Sequence, residues 1–176
     1  MKHIKTLTLM LAFGSAGAYA QEIPVKMKFS GTNVATTISL LPNTVTDEQH
    51  SAGDGTFGSF TFRELHADLS PAPQPPADCT GPNFAVVSGG GVFQFHDGSL
   101  LTVTIEDGSG CINLAVLKTA LTVNYKVTGG TGRFEGASGK LAYTATMALI
   151  FRNASTNAPA LLMLTGDIEG KVSVGP

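Results

Sequence analysis

Along most of the chain, short runs of Val, Thr, Phe, Ile and Leu alternate with polar residues, and glycines interrupt the runs. Strict alternation sends successive side chains to opposite faces of a strand, so the pattern predicts half-buried β-strands. It places them at 25–29, 34–40, 56–69, 85–95, 99–106, 114–128, 138–152 and 160–174. Almost nothing repeats at the helical period, and Asp47-Glu48-Gln49-His50 is read as one helical turn at most. Turn signals separate the runs: His96-Asp97-Gly98, Asp107-Gly108 and Thr128-Gly129-Gly130-Thr131-Gly132. Residues 70–82 hold five of the nine prolines and are expected as a surface loop, since proline cannot donate to a β-ladder.

The first 20 residues follow another rule. Lys2 and Lys5 precede a mostly apolar stretch over 6–17, and Ala18-Tyr19-Ala20 supplies the small-x-small pattern of a signal-peptidase site. A cleaved leader, residues 1–20, and a mature domain, 21–176, are expected. The apolar run is shorter than the roughly 20 residues that span a bilayer, and no other stretch is long enough to cross as a helix. Export to the periplasm or beyond follows from this reading.

About eight strands in such a chain leave two packings open, a closed barrel or a sandwich, and closure has the advantage of removing exposed strand edges. An outer-membrane barrel would need aromatic girdles, and the chain has three Tyr, no Trp and a Val174-Gly175-Pro176 terminus. Loss of Lys2 and Lys5 with the leader moves the formal charge from −2 to −4, which argues against a nucleic-acid surface. The two cysteines, Cys79 and Cys111, both sit at expected turns. In an exported chain they are expected to pair, because lone cysteines without C-x-x-C spacing make poor zinc ligands.

The segment Val127-Thr128-Gly129-Gly130-Thr131-Gly132-Arg133-Phe134-Glu135-Gly136-Ala137-Ser138-Gly139 resembles the glycine signature of allene oxide cyclase-like and dirigent-like barrels. The flanking Phe95-His96-Asp97-Gly98-Ser99-Leu100-Leu101-Thr102 and Leu164-Thr165-Gly166-Asp167-Ile168-Glu169-Gly170 are similar to theirs, so the likeness covers roughly 55–171. The resemblance implies a single closed antiparallel barrel of about eight strands, no cofactor, and in many relatives a trimer. Independently, Gly129, Gly130 and Gly132 can take positive φ at a sharp barrel corner, Phe134 can swing inward as a plug, Gly136 lets backbone pack close beside it, and Ser138 and Gly139 start the next strand. No lysine-hydroxyl pair or helix follows the glycines, so a phosphate-binding loop is rejected.

Candidate chemistry is sparse. Period two puts Phe60, Phe62, Glu64, His66 and Asp68 on one face of a strand. The Glu64-x-His66-x-Asp68 row could ligate a metal or pair imidazole with carboxylate to move protons; the other reading is a wet, fraying strand end. No metal is assigned. Tyr125 and Tyr143 could place hydroxyls in a cavity, and Phe60, Phe62, Phe93 and Phe95 could line an apolar one or fill a core. His96, Asp97 and Glu135 are read as turn and surface residues, and Arg152 as either a residue of the barrel mouth or a strand end. No hydrolase, zinc-protease or catalytic-cysteine motif is present.

Three functions remain open from sequence. The leading one is a barrel that binds a small apolar or amphipathic molecule, since eight strands can just enclose one. The resemblance implies a second, a cofactor-free isomerase or cyclase. The third is a structural or interaction protein with a filled barrel, which would show large side chains meeting on the axis.

Overall fold

Alternation of apolar and polar residues governs nearly every strand, and the computed structural model, which describes residues 21–155 and 159–175, shows where each face goes. The leader expected at 1–20 lies outside the described residues. Eight strands follow in order: β1 (Gln21–Ala35), β2 (Val45–Gly55), β3 (Phe60–Leu69), β4 (Asn83–Phe95), β5 (Leu100–Asn113), β6 (Lys118–Gly130), β7 (Ser138–Arg152) and β8 (Pro159–Val174). Each pairs antiparallel with its chain neighbour, and β8 pairs with β1 over Gln21↔Val174 to Asn33↔Leu162, closing the barrel. The only described helix is a 3-10 turn, Gly132–Phe134.

Inward positions carry the apolar side chains. Val25, Met27 and Phe29 of β1 are buried while Lys26 and Lys28 are exposed; Leu141 and Tyr143 of β7 are buried while Lys140 and Thr144 are exposed. Lys126, Asp167 and Glu169 stand in mid-strand on the outer wall, where a lipid-facing barrel would need an apolar band. No helix among the described residues is long and apolar enough to cross a membrane.

Rings fill the axis. Phe62 stacks on Phe93 at 4.1 Å between centroids, Phe29 stacks on Tyr143 at 4.5 Å, and Tyr125 meets both Phe62 and Tyr143 edge-on at 6.0 Å. Glycines on neighbouring strands give these rings room. A Cβ on Gly91 would come within 2.5 Å of the Phe62 ring, one on Gly166 within 2.7 Å of Phe29, and one on Gly53 within 2.7 Å of Phe60.

The connections β2–β3, β4–β5 and β6–β7 gather at one end together with the start of β1 and the end of β8, and this turn end is plugged. Phe134, fully buried, packs on Phe57 and Phe95 at 5.0 and 4.8 Å, and the Arg133 guanidinium lies over all three rings at 4.9 to 5.9 Å. Arg133 is pinned there by Asp97 at 3.3 Å and by donating to the Phe57 carbonyl. Gly132 and Gly136, at φ +60° and +69°, take the left-handed turns that return the chain to β7; Gly136, expected to allow close packing, instead has open space around it. Gly130 has no such φ; its role is close packing, since a Cβ there would meet the Leu100 carbonyl at 2.2 Å.

Several boundaries differ from the sequence expectation. The chain at 45–55 is a strand, with no helical turn at 47–50, and the strand expected at 34–40 ends at Ala35 as part of a longer β1. β2 escaped the pattern because its inward residues are Asp47, Gln49, Ser51 and Gly53, which carry no apolar alternation. Residues 56–59 and 114–117 are turns where strand was expected. Asp107-Gly108 was expected to end a strand, yet β5 runs on to Asn113 across a bulge between Ile105 and Asp107. Cys111 therefore lies within a strand, and its bond to Cys79, with Cα atoms 5.7 Å apart, ties the proline-rich loop to the barrel wall.

The plug is a discrete stability element. Replacing Phe134 by Ala should cost about 3–5 kcal/mol in urea unfolding of the disulfide-intact chain from Gln21 onward, as for other buried Phe truncations. A loss below about 1 kcal/mol would mean that the turn end collapses onto the gap and that Phe134 does not hold it.

Candidate functional site

The last residues of β1, β3, β5 and β7 lie together at the opposite end, the loop end, and the inward residues change character toward it. β3 leaves the aromatic layer after Phe62 and continues inward through Glu64, His66 and Asp68. The row is not a wet strand end: Glu64 and His66 are buried, their side chains 1% and 4% exposed, and Asp68 reaches solvent only through 13% of its surface. A bulge against β4 between Ala67 and Asp68 leaves this inward direction unchanged up to His66.

The side chains form a connected column. The Tyr125 hydroxyl, rising from β6, donates to Glu64 Oε2. Glu64 Oε1 lies 2.8 Å from His66 Nδ1, off the axis of a well-aligned hydrogen bond, and His66 Nε2 faces Asp68 Oδ2 at 3.8 Å. β2 adds a second column. Asp47 pairs in register with His66, and Gln49 with Glu64. The Tyr143 hydroxyl donates to Gln49 Oε1 at 3.0 Å, and Asn33 Nδ2 of β1 donates to Asp47 Oδ2 at 3.0 Å. Asn33 Oδ1 and Asp68 Oδ1 are buried with no partner.

Charge in this column is unbalanced. Asp47, Glu64 and Asp68 face inward with His66, while every described Lys and Arg is solvent-exposed. Burial alone would push the His66 pKa down, but the Glu64 contact and the charges of Glu64, Asp68 and Asp47 overcome it and raise it to about 9. Burial, with Asp47 and Glu64 adding to it against His66, raises Asp68 to about 7. Burial, followed by the Glu64 charge, pushes the Tyr125 and Tyr143 hydroxyls well above the usual tyrosine range, so both act as neutral donors.

Of the residues picked from sequence, Glu64, His66, Asp68, Tyr125 and Tyr143 come together here. Phe60, Phe62, Phe93 and Phe95 lie deeper, buried and packed ring against ring. His96, Asp97 and Glu135 are exposed at the turn end, and Arg152 is exposed at the end of β7. Sequence reasoning missed Asn33, Asp47, Gln49 and Ser51. A polar period-two row, Asp47-x-Gln49-x-Ser51, was the available signal, but without apolar partners it did not mark a strand.

Comparisons with protein-family models, curated proteins and solved structures find no match for this chain. The likeness to allene oxide cyclase-like and dirigent-like barrels therefore rests on the quoted glycine motif and its flanks alone.

The raised pKa values carry a sign. For Asp68 the folded state holds its proton more tightly than the unfolded chain, so its contribution falls as pH rises from about 4 to about 7. For His66 the contribution is complete below pH 6.5 and lost as pH rises to about 9. Stability by urea titration should thus decline between pH 6.5 and 9, and a His66→Gln, Asp68→Asn double variant should flatten the slope. An unchanged slope in that variant would place the titrating groups elsewhere.

Proposed function

We propose that this chain is an exported binding barrel that takes a small positively charged ligand at its loop end. One observation carries the reading: three inward carboxylates face a single imidazole, with buried acceptor oxygens left unpartnered. An uncompensated charge in a low-dielectric interior is costly, and a bound cation is one way to compensate it. The aromatic half of the barrel is taken up by ring-on-ring packing, which favours the mouth over the axis as the binding place. The Cys79–Cys111 bond fits an oxidising compartment and so supports export.

Binding without turnover fits the site better than catalysis. Glu64 and His66 are buried against one another and against Tyr125, and Asp68 is the row's opening to solvent. The test is a thermal-shift series on the untagged mature chain with 1,4-diaminobutane, methylammonium and divalent metal chlorides against matched acetate and sulfate salts. A cation at 100 times its Kd should stabilise by about 2.7 kcal/mol, a rise of roughly 5 °C or more for a domain of this size. The rise should vanish in Asp47→Asn, Asp68→Asn. Equal shifts with anions, or no shift with any cation, would remove the proposal.

A further inference from the structure

Two strands bring three metal-ligating groups to one point. Asp47 on β2 stands in register with His66 on β3, Asp68 follows His66 at period two, and one ligand atom from each lies within 4.8 Å of the others. The His66 Nε2 to Asp68 Oδ2 distance of 3.8 Å is too long for a hydrogen bond. It suits two ligands of one ion, which at about 2.0–2.1 Å from a tetrahedral centre stand about 3.3 Å apart and need only a small inward movement.

The surroundings are those of a ligand set. Glu64 sits at the far nitrogen of the same ring, 2.8 Å from Nδ1, and is itself held by the Tyr125 hydroxyl. A carboxylate behind a histidine is the usual device for fixing which nitrogen faces a metal, and a small rotation of the ring would align Nδ1, unpartnered as it stands, with Glu64. Asn33 provides the independent sign. It is 2% exposed, its amide nitrogen is committed to Asp47, and its oxygen has no partner. Asp68 Oδ1 is likewise buried and unsatisfied. Buried acceptors of this kind call for a donor or a cation, and none of the described Lys and Arg side chains is buried.

We propose that Asp47, His66 and Asp68, with Asn33 holding Asp47 in place, bind one divalent first-row transition-metal ion of the Zn²⁺ or Mn²⁺ type. One imidazole with carboxylate oxygens suits these ions better than the all-oxygen cages of Ca²⁺ or Mg²⁺, and the ring gives up its Nε2 proton to solvent as the ion enters. The inference rests on the cation-binding reading above and names the cation.

The experiment uses the untagged, disulfide-intact mature chain, stripped with EDTA and titrated with ZnCl₂ by calorimetry, with Co²⁺ as a spectroscopic substitute. One Zn²⁺ per chain and a visible Co²⁺ absorption band are expected. Asp47→Asn and Asp68→Asn, each checked for native circular dichroism, should lose both signals, and Glu64→Gln should weaken Zn²⁺ binding by about 10–100-fold. His50→Gln serves as the control, because His50 pairs with Glu48 away from the cluster on the barrel's surface, a second place where Zn²⁺ could lodge. Binding that survives Asp47→Asn and Asp68→Asn, or disappears in His50→Gln, overturns the site. Absence of Zn²⁺ binding alongside a retained shift with 1,4-diaminobutane overturns the metal and leaves the cation reading standing; loss of both ends both.

Discussion

An eight-stranded barrel encloses a space just wide enough for side chains, and the way this chain fills that space decides the rest of its structure. Rings do the filling, and they fit because glycines on adjacent strands give way to them. Phe29 lies against Gly166, its register partner; Phe60 lies against Gly53 in the same way; Phe62 leans over Gly91. A side chain at any of these glycines would collide with a ring or a neighbouring carbonyl. Much of the chain's glycine is therefore inside strands, some of it against aromatic rings and the rest against neighbouring backbone, and only part of it makes turns. Close packing of this kind leaves the aromatic half of the interior without room to adapt.

With the rings concentrated in the middle and at the turn end, the loop end has to be finished with other material. There the inward positions are Asn33, Asp47, Gln49, Glu64, His66 and Asp68, joined to the aromatic layer by the hydroxyls of Tyr125 and Tyr143. These two tyrosines serve both halves: ring edges pack against Phe62 and each other, and the hydroxyls tie down Glu64 and Gln49. Burial and mutual charge then hold His66 protonated and Asp68 near the midpoint of its titration at neutral pH. Ionisable groups kept in such a state represent a cost to the fold. That cost makes the loop end, and not the ring-filled middle, the part of the interior open to compensation by a bound group.

The candidate site was partly visible in one dimension. Glu64-x-His66-x-Asp68 continues the same face as Phe60 and Phe62, so period two alone puts the row with the core. Whether that face stays buried depends on what covers it. Here β2 supplies the cover, and β2 is the strand whose polar inward residues gave no hydrophobic rhythm. The same gap hid Asp47 and Gln49, and with them the pairing that turns a row of three residues into a cluster. Bulges blurred other edges: β5 passes through Asp107-Gly108, a pair with strong turn chemistry, because the ladder with β6 resumes on the far side.

By itself the sequence determined that this is an all-β chain, which residues of most strands face inward, and that Cys79 and Cys111 were free to pair with no other cysteine. Those follow from local chemistry: side-chain alternation, proline and glycine placement, and a cysteine count of two. Tertiary structure decided closure of the barrel, the filling of its axis by rings seated on glycines, and the meeting of Asn33, Asp47, His66 and Asp68. These depend on register between strands distant in sequence, where a shift of one residue would turn every inward group outward.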